Sequence, residues 1–218
     1  TKLLGQRFTL AAQVKSATNI IQRLFSNYAG GSVGTDAFIL DFDPDRSSGW
    51  SIRCYHAGVQ TYGQKTFYDG AYHHLAVTYD NGAVTLYVDA ERVGGGTNGS
   101  GAVTLVRDLQ VGEDSATGAD EQLAGFVDDI LFYTNALPVG ALRQVAYCGA
   151  AAYFAGDLSR PGILYSAEGD TSAARDKLTG DGEQNGVFAS GGVTVSAANP
   201  KFGRRAYAFA NTVSNEVH

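Results

Sequence analysis

Several residue types are rare in this sequence. It has no Met, two Cys, four Pro and one Trp in 218 residues, and this composition does not resemble that of a helical bundle. No apolar stretch approaches the roughly 18 residues that a membrane-spanning helix requires, so we expect no membrane insertion. The first residues, TKLLGQRFTL, lack the apolar centre of a signal peptide, and the missing initiator Met suggests a processed or excised chain.

Basic residues are also scarce. The chain carries 16 Lys and Arg against 22 Asp and Glu, which gives a formal net charge of −6. Its one basic cluster, Lys201 with Arg204 and Arg205, is better explained as a solvated approach to a strand. Because affinity for nucleic acid rests largely on clustered Lys and Arg, we predict no nucleic-acid partner.

The two cysteines stand far apart, without CxxC spacing or a set of zinc ligands. Cys54 lies in an alternating strand pattern, and Cys148 lies in an Ala-rich connection. Two separate free thiols are favoured over a disulfide, and the redox compartment stays open.

Glycine and aromatic residues are abundant, with 28 Gly, 12 Tyr and 11 Phe. The clearest pattern is AYHHLAVTYDNGAVTLYVDAERV, residues 71–93, in which Asn81-Gly82 suits a type I′ turn and fixes the register of a hairpin. The predicted cross-strand pairs are Tyr79 with Val84, Val77 with Leu86, Leu75 with Val88, Thr78 with Thr85 and His74 with Asp89. No Ser or Cys stands in a nucleophile motif that could use a His-Asp couple, so we interpret His74 and Asp89 as a structural polar pair.

Further segments show the same two-residue period. AFILDFD and WSIRCYHAG predict a second hairpin, with Phe38, Leu40 and Phe42 inward and Asp41 outward. LAGFVDDILFY, residues 123–133, is apolar on both faces and should be covered on both sides. Strict alternation would put Phe126, Ile130 and Phe132 on one face and Val127, Leu131 and Tyr133 on the other. NALPVGALRQVA predicts one short helix, so the sequence favours an all-β fold, a two-sheet antiparallel sandwich or jelly roll with one short helix.

Three of these segments together resemble the laminin-G-like (LamG-like) jelly-roll domains of the concanavalin A-like lectin and glucanase superfamily. FTLAAQVK at 8–15 resembles the family's Phe-Thr-Leu-Ser-Ala-Trp-Val-Lys strand, with Gln13 where Trp is usual. The hairpin at 71–93 is similar to its Trp-His-His-Val-Ala-Val-Thr-Tyr-Asp segment, with Tyr72 for Trp. Residues 123–142 are similar to its closing strand and helix.

The last part of the chain resembles the opening of the same family, although it comes at the end here. Residues 1–147 therefore correspond to the main part of the sandwich, residues 148–161 to a connector, and residues 162–218 to its opening strands. Two explanations stay open: a circularly permuted single domain, or a chain cut from a tandem array. A sandwich without its first strands would leave core surface and a sheet edge uncovered, so we expect the tail to fill the gap within the same chain. Exchange between neighbouring chains is the alternative, and it would place the two termini more than roughly 15 Å apart.

The sequence offers few candidate catalytic residues for a sandwich of this class. Glycosidases of the same superfold carry Glu-x-Asp-x-x-Glu, whereas LDFDPDRSSG offers Asp41, Asp43 and Asp45 without a Glu and with Pro44 in the strand. The pair of carboxyls, about 5 Å apart, that a retaining glycosidase needs is not evident. A turn that closes a hairpin is the better explanation.

Two ligand sites are predicted. Relatives of the superfold often hold a structural Ca²⁺ between the closing and opening strands, and the resemblance implies Asp128 with Glu168 or Asp170 as its ligands. The alternative is that backbone N–H groups and Arg satisfy these carboxylates. Aromatic side chains that could stack on sugar rings are Tyr55, Tyr62, Tyr68 and Tyr87.

The function we predict is a non-catalytic recognition or adhesion module that binds a glycan or a protein. By resemblance it belongs to an extracellular, cell-surface or virus-particle protein. One alternative is a structural or decoration protein of a phage particle or filament, with copies of itself or other subunits as partners. Glycoside hydrolysis is the weakest alternative, because the carboxylate pair is missing.

Overall fold

The structure is a computed structural model of the 218-residue chain. It describes residues 2–28, 30, 37–42, 51–105, 107–113, 121–150, 162–165, 173–174, 186–187, 193–198, 201 and 206–209.

Short strands dominate the described residues. The first nine are β1 (Lys2–Gly5), β2 (Arg7–Lys15), β3 (Gln22–Ser26), β4 (Phe38–Phe42), β5 (Ile52–His56), β6 (Val59–Gly63), β7 (Tyr72–Asp80), β8 (Ala83–Val88) and β9 (Glu91–Thr97). They are followed by β10 (Val103–Leu105), β11 (Gln110–Val111), β12 (Gly125–Tyr133) and the helix α1 (Val139–Cys148). The tail contributes β13 (Gly162–Tyr165), β14 (Ala173–Ala174), β15 (Gly186–Val187), β16 (Val193–Ser196) and β17 (Ala206–Phe209).

Every pairing among the described strands is antiparallel. Thirteen of them form one sheet, which runs β11-β3-β4-β5-β6-β9-β8-β7-β2-β12-β17-β16, with β13 also paired to β12. We call the part from β11 to β6 the front layer and the part from β8 to β16 the back layer. This confirms the predicted all-β antiparallel sandwich, and the described residues contain one helix.

The core lies between the two layers, which shows that the sheet curls over on itself. The ring of Phe8 on β2 meets that of Phe38 on β4 edge-on at 5.3 Å, and Phe25 on β3 meets Phe132 on β12 at 5.6 Å. Both contacts cross from the back layer to the front layer. Apolar burial of this extent is the main term that stabilises a domain of this size.

The hairpin of β7 and β8 has the register that its turn predicted. Leu75 pairs with Val88, Val77 with Leu86, Thr78 with Thr85 and Tyr79 with Val84. Asn81 and Gly82 have φ values of 50° and 101°, as a type I′ turn requires. The second predicted hairpin is also present, with Asp41 opposite Arg53 across β4 and β5.

Strand β12 departs from strict alternation, because it contains a β-bulge. Val127 pairs with Val14 and Leu131 with Ala11, so β12 carries one more residue than β2 over this stretch. Asp129 lies within the bulge and has a positive φ of 46°. Val127 therefore joins Ile130 and Phe132 against the core, and the assignment of Val127 to the opposite face was wrong. The expectation that both faces are covered is confirmed, since Leu131 and Tyr133 pack on the other side.

Helix α1 covers the outer surface of the back layer. It begins after Pro138 and buries Ala141, Leu142, Val145 and Ala146. These side chains pack on Ala11 of β2, Ala76 of β7 and Leu131 of β12. Alanine on the two strands leaves room for the helix to approach the sheet closely.

The described strands of the tail extend the back layer. β13 pairs with Ile130–Tyr133 and β17 with Gly125–Val127, so both lie beside β12. Tyr207 is only 1% exposed and belongs to the core. Residues 151–161 of the predicted connector and both ends of the chain lie outside the described residues. The division at 1–147, 148–161 and 162–218, and the choice between a permuted domain and a tandem array, therefore stay predictions.

Two smaller sequence predictions concern the thiols and the membrane. Cys54, which is buried, and Cys148, which is exposed, are both free thiols, as predicted. Burial raises the pKa of the Cys54 thiol well above its usual value. In the described part of the chain, no helix has the length and hydropathy needed to cross a membrane.

Candidate ligand-binding face

The side chains of β3 to β6 that point away from the core form one surface, which we call the front face. The core takes Phe38, Leu40, Ile52 and Cys54 from these strands, so the intervening residues must point outward. The strand register then aligns Arg23, Asp41, Arg53 and Tyr62 in one row across the four strands. A second row beside it contains Ser26, Ile39, Tyr55 and Gln60.

Asp41 is the centre of the first row, and two guanidinium groups hold it. Arg53 binds it in a two-pronged arrangement, with Nε to Oδ1 at 3.0 Å and Nη2 to Oδ2 at 2.7 Å. Arg23 donates from Nη1 to Asp41 Oδ2, and its Nη2 pairs with Glu121. The Asp41 side chain is 0% exposed. A carboxylate at such depth is stable only when it is paired in this way.

The network continues toward the accessible side of the face. Arg53 Nη1 lies 3.5 Å from Gln60 Oε1, and the Tyr62 hydroxyl donates to the same oxygen. Burial falls along this direction, from buried Asp41 through partly exposed Arg53 and Tyr62 to exposed Gln60. The end formed by β5 and β6 is therefore the part of the row that a ligand can reach.

An apolar patch lies next to that end. Ile39 and Ala37 are buried there, and Tyr28 and Tyr55 pack against them while keeping part of their surface exposed. The face thus combines aromatic surface with guanidinium, amide and phenol groups held by ion pairs and hydrogen bonds. Such a surface can contact the apolar side of a ring and hydrogen-bond the polar groups around it.

The four predicted tyrosines do not form one site. Tyr55 and Tyr62 share the front face, on neighbouring strands. Tyr68 lies in the connection before β7, where its ring packs on Phe67 at a centroid distance of 5.6 Å. Tyr87 packs against the apolar cluster under α1, on the back layer. Only Tyr55 and Tyr62 therefore stay in the predicted ligand site.

Sequence reasoning missed Arg23, Arg53, Gln60 and Glu121. The hairpin of β4 and β5 was predicted, and its register would have placed Arg53 beside Asp41. Glu121 comes from a segment distant in sequence, and no local pattern indicates that it reaches Arg23.

The predicted calcium ligands are only partly described. Asp128 Oδ1 accepts the Asp129 backbone N–H at 2.9 Å, and Oδ2 accepts that of Lys201 at 3.2 Å. Asp129 Oδ2 accepts the Ala150 N–H at 3.0 Å. Backbone N–H groups thus hydrogen-bond to the carboxylates of Asp128 and Asp129, which agrees with the alternative to a calcium site. No group of three or more His, Cys, Asp or Glu side chains in the described part of the chain is arranged to hold a metal. Glu168 and Asp170 lie outside that part, so a calcium site stays a prediction.

The histidine pair differs from the prediction in one respect. His74 and Asp89 are joined through the backbone, but His73 makes the side-chain contact, with Nδ1 2.8 Å from Asp89 Oδ2. His73 Nε2 lies 3.2 Å from Asp69 Oδ1. The hydrogen bond to Asp89 raises the pKa of His73 above its ordinary value. The arrangement links three chain segments, which agrees with a structural role for the pair.

Comparison with known proteins agrees with this architecture. A laminin G family model, described as concanavalin A-like lectin/glucanases superfamily, matches residues 1–141. The chain belongs to the concanavalin A-like lectin/glucanases superfamily. Within that class, it is a laminin-G-type member. A search of curated protein sequences finds no match.

Solved structures show the same fold at low sequence identity. A proposed carbohydrate-binding protein from Bacteroides ovatus superposes with a TM-score of 0.65 at 16% identity, over 85% of this chain and 52% of that one. The chain thus spans about half the length of that protein. A heptameric SAP-like pentraxin from Limulus polyphemus gives 0.53 at 13% identity, over 74% and 81%. The CBM40 domain of a Ruminococcus gnavus sialidase, solved with α2,3-sialyllactose, gives 0.52 at 16% identity, over 65% and 83%.

Proposed function

We propose that this chain is a non-catalytic glycan-binding module that acts as a recognition domain of an extracellular or cell-surface protein. The ligand lies on the front face at its accessible end, where it contacts Arg53, Tyr55, Gln60 and Tyr62. The observation that carries the proposal is the row from Arg23 to Tyr62, in which Arg53 and partly exposed Tyr62 contact the exposed amide of Gln60 beside an aromatic patch.

The side chains at this end of the face would contribute to binding in different ways. The rings of Tyr55 and Tyr62 offer apolar surface to a sugar ring at a small entropic cost. Gln60 and Arg53 supply hydrogen bonds to hydroxyl groups, and Asp41 holds the Arg53 guanidinium in one orientation. A ligand therefore meets groups that are already ordered, which lowers the entropic cost of binding.

Relatives with the same fold support a glycan as the ligand. The Bacteroides ovatus protein is described as carbohydrate-binding, and the Ruminococcus gnavus domain was solved with a bound oligosaccharide. Fold alone does not assign a ligand, so the proposal rests on the front face itself.

Catalysis is the less favoured interpretation of the same surface. Asp41 and Glu121 both contact Arg23, so two carboxyls converge there, as they do in glycosidases. Asp41, however, is 0% exposed, and both of its oxygens accept from guanidinium groups. It therefore cannot reach a glycosidic bond.

Binding to a glycan array, followed by calorimetry on the best ligand, tests the proposal. We expect Tyr62→Ala to weaken binding about tenfold or more, because stacking and hydrogen bonding are lost together. Tyr147→Ala is the matched control, since Tyr147 is 66% exposed on α1 of the back layer and should leave affinity unchanged. Equal affinity of the Tyr62 variant and the unmodified chain, or absence of any binding glycan, would contradict the proposal.

A further inference from the structure

We infer that the front face selects neutral glycans and discriminates against acidic ones such as sialylated or uronic-acid sugars. The inference rests on the proposed function and names the chemical class of its ligand. Its basis is that both arginines of the face, Arg23 and Arg53, already form ion pairs with carboxylates of this chain.

Strands β3 to β6 contain two arginines, Arg23 and Arg53, and no lysine. Recognition of a sugar carboxylate uses a guanidinium fork that can receive both of its oxygens. In Arg53 the Nε and Nη2 groups that form such a fork are both bonded to Asp41. Arg23 directs Nη1 to Asp41 and Nη2 to Glu121. An acidic ligand would have to displace an existing carboxylate from either arginine.

The charges of the row also balance. Arg23 and Arg53 stand against Asp41 and Glu121, so these four side chains have no net positive charge to attract an anion. Glu121 pairs with Arg23 at the β3 end of the row, opposite Tyr62, and 35% of its side chain is accessible, so it presents negative charge to solvent there. A ligand carboxylate that extends from the β5–β6 end toward β3 therefore meets like charge, which lowers affinity.

The segments that precede and follow β4 in the chain, and the segment that follows Glu113, are acidic in sequence. Residues 29–36, 43–50 and 114–120 together contain five Asp, namely Asp36, Asp43, Asp45, Asp114 and Asp120, and one basic residue, Arg46. The whole chain carries a net charge of −6. A net charge of this sign gives no long-range attraction of an anionic glycan to the chain as a whole.

The accessible groups suit hydroxyls instead. Gln60 is exposed and offers an amide, which both donates and accepts. The Tyr62 hydroxyl donates its hydrogen to Gln60 Oε1, so this hydrogen is already committed and is not offered to a ligand carboxylate.

The experiment compares pairs of oligosaccharides in which one member carries carboxylate groups and the other is neutral. Trigalacturonic acid is measured against galactotriose, and α2,3-sialyllactose against lactose, together with a wider array of neutral and acidic glycans. We expect each neutral member that binds to do so at least about tenfold more tightly than its acidic counterpart.

Two variants make the charge argument specific. Glu121→Gln removes the exposed negative end and frees Arg23 from one carboxylate, so it should improve the relative affinity for acidic sugars about threefold or more. Glu91→Gln is the matched control, because Glu91 lies on β9 with 69% of its side chain exposed and pairs with Lys65. It should leave the ratio of neutral to acidic affinity unchanged.

The outcomes separate the two claims. Preference for acidic sugars, or equal affinity for both members of a pair, would overturn the inference while the module remains a glycan-binding protein. Absence of binding to every glycan on the array would overturn the inference and the proposed function together. An Arg53→Lys variant that binds acidic sugars no better than the unmodified chain agrees with the inference, because Asp41 still neutralises the cation.

Discussion

Asp41 shows how one residue can organise a whole surface. It is fully buried on the outward side of β4, and both of its oxygens are occupied by arginines from the two neighbouring strands. A buried ion pair adds less stability than its short distances suggest, since both partners lose hydration. Its main effect is to fix the orientation of the two guanidinium groups.

Removal of that carboxylate should be costly. We expect Asp41→Asn to lower the free energy of unfolding by about 3 to 5 kcal/mol, because Arg23 and Arg53, whose side chains are 6% and 13% exposed, both lose a buried carboxylate partner. Asp80→Asn breaks the exposed pair with Arg7, whose side chains are 47% and 63% accessible, and should cost no more than about 0.5 kcal/mol. Urea denaturation of both variants measures the difference. Equal losses would mean that Asp41 is not anchored as described.

His74 gives a second prediction at this scale, because it is a buried histidine. Its side chain is 2% exposed, and neither ring nitrogen has a hydrogen-bond partner within the described structure. Burial lowers its pKa to about 4, and nearby Lys201 acts in the same direction while Asp89 opposes it. Between pH 6.5 and 4 the unfolded chain therefore binds the proton that the folded chain excludes.

Stability should fall as the pH drops through that window. The loss attributable to His74 reaches up to about 3 kcal/mol below about pH 4. His74→Phe keeps an aromatic ring of similar size and removes the titration, so its unfolding free energy should fall less between about pH 7 and about pH 4. Denaturant titrations at a series of pH values compare the two chains. Parallel curves over the whole range would show that His74 is not excluded from protonation.

At the scale of elements, the turn between β7 and β8 illustrates a position that only glycine fits. Gly82 has a φ of 101°, and a Cβ there would lie 2.4 Å from the Gly99 carbonyl oxygen. The turn therefore packs directly against the loop that follows β9.

Two glycine-to-alanine substitutions should act in opposite directions. Gly82→Ala should destabilise the chain by about 2 to 3 kcal/mol through backbone strain and the contact with Gly99. Gly140 lies in the first turn of α1, where a Cβ would meet no atom within 4 Å beyond the backbone of the helix itself, so Gly140→Ala should stabilise by about 0.5 to 1 kcal/mol. Thermal unfolding of the pair tests the signs. A stabilised Gly82 variant would be incompatible with the turn geometry.

The elements also show which features sequence could predict. The register of β7 and β8 followed from Asn81-Gly82, because the turn and the apolar alternation independently require the same pairing. The bulge at Asp129 could not be predicted, since its extra residue is visible only against the partner strand β2. The front face was predicted only in part for a similar reason. Alternation places Asp41 and Tyr55 outward, but the contact of Arg23 with Glu121 depends on tertiary packing.

At the scale of the whole molecule, the described strands of the tail extend the back layer beside β12. Strands β13 and β17 lie along β12, and without them that edge would expose its backbone N–H and C=O groups. Tyr207 on β17 reaches the same core as Val127 on β12. Sequence order suggested that residues 162–218 supply opening strands, and that role stays a prediction; the described strands β13 and β17 pair with β12.

If the tail is an integral part of the core, Tyr207→Ala should lower the free energy of unfolding by about 3 to 5 kcal/mol, because a large buried side chain is replaced by a cavity. Tyr147→Ala removes an exposed ring and one hydrogen bond to the Asp89 carbonyl oxygen at 3.1 Å, so it should cost no more than about 1 kcal/mol.

A chain that ends at residue 150 should then be unfolded or self-associated, and a separate peptide of residues 162–218 should restore a soluble complex. Sedimentation measurements and denaturant titrations distinguish these states. A stable monomeric chain of residues 1–150, together with a Tyr207 variant as stable as the Tyr147 variant, would mean that the front part closes its own core and that the tail only rests on it.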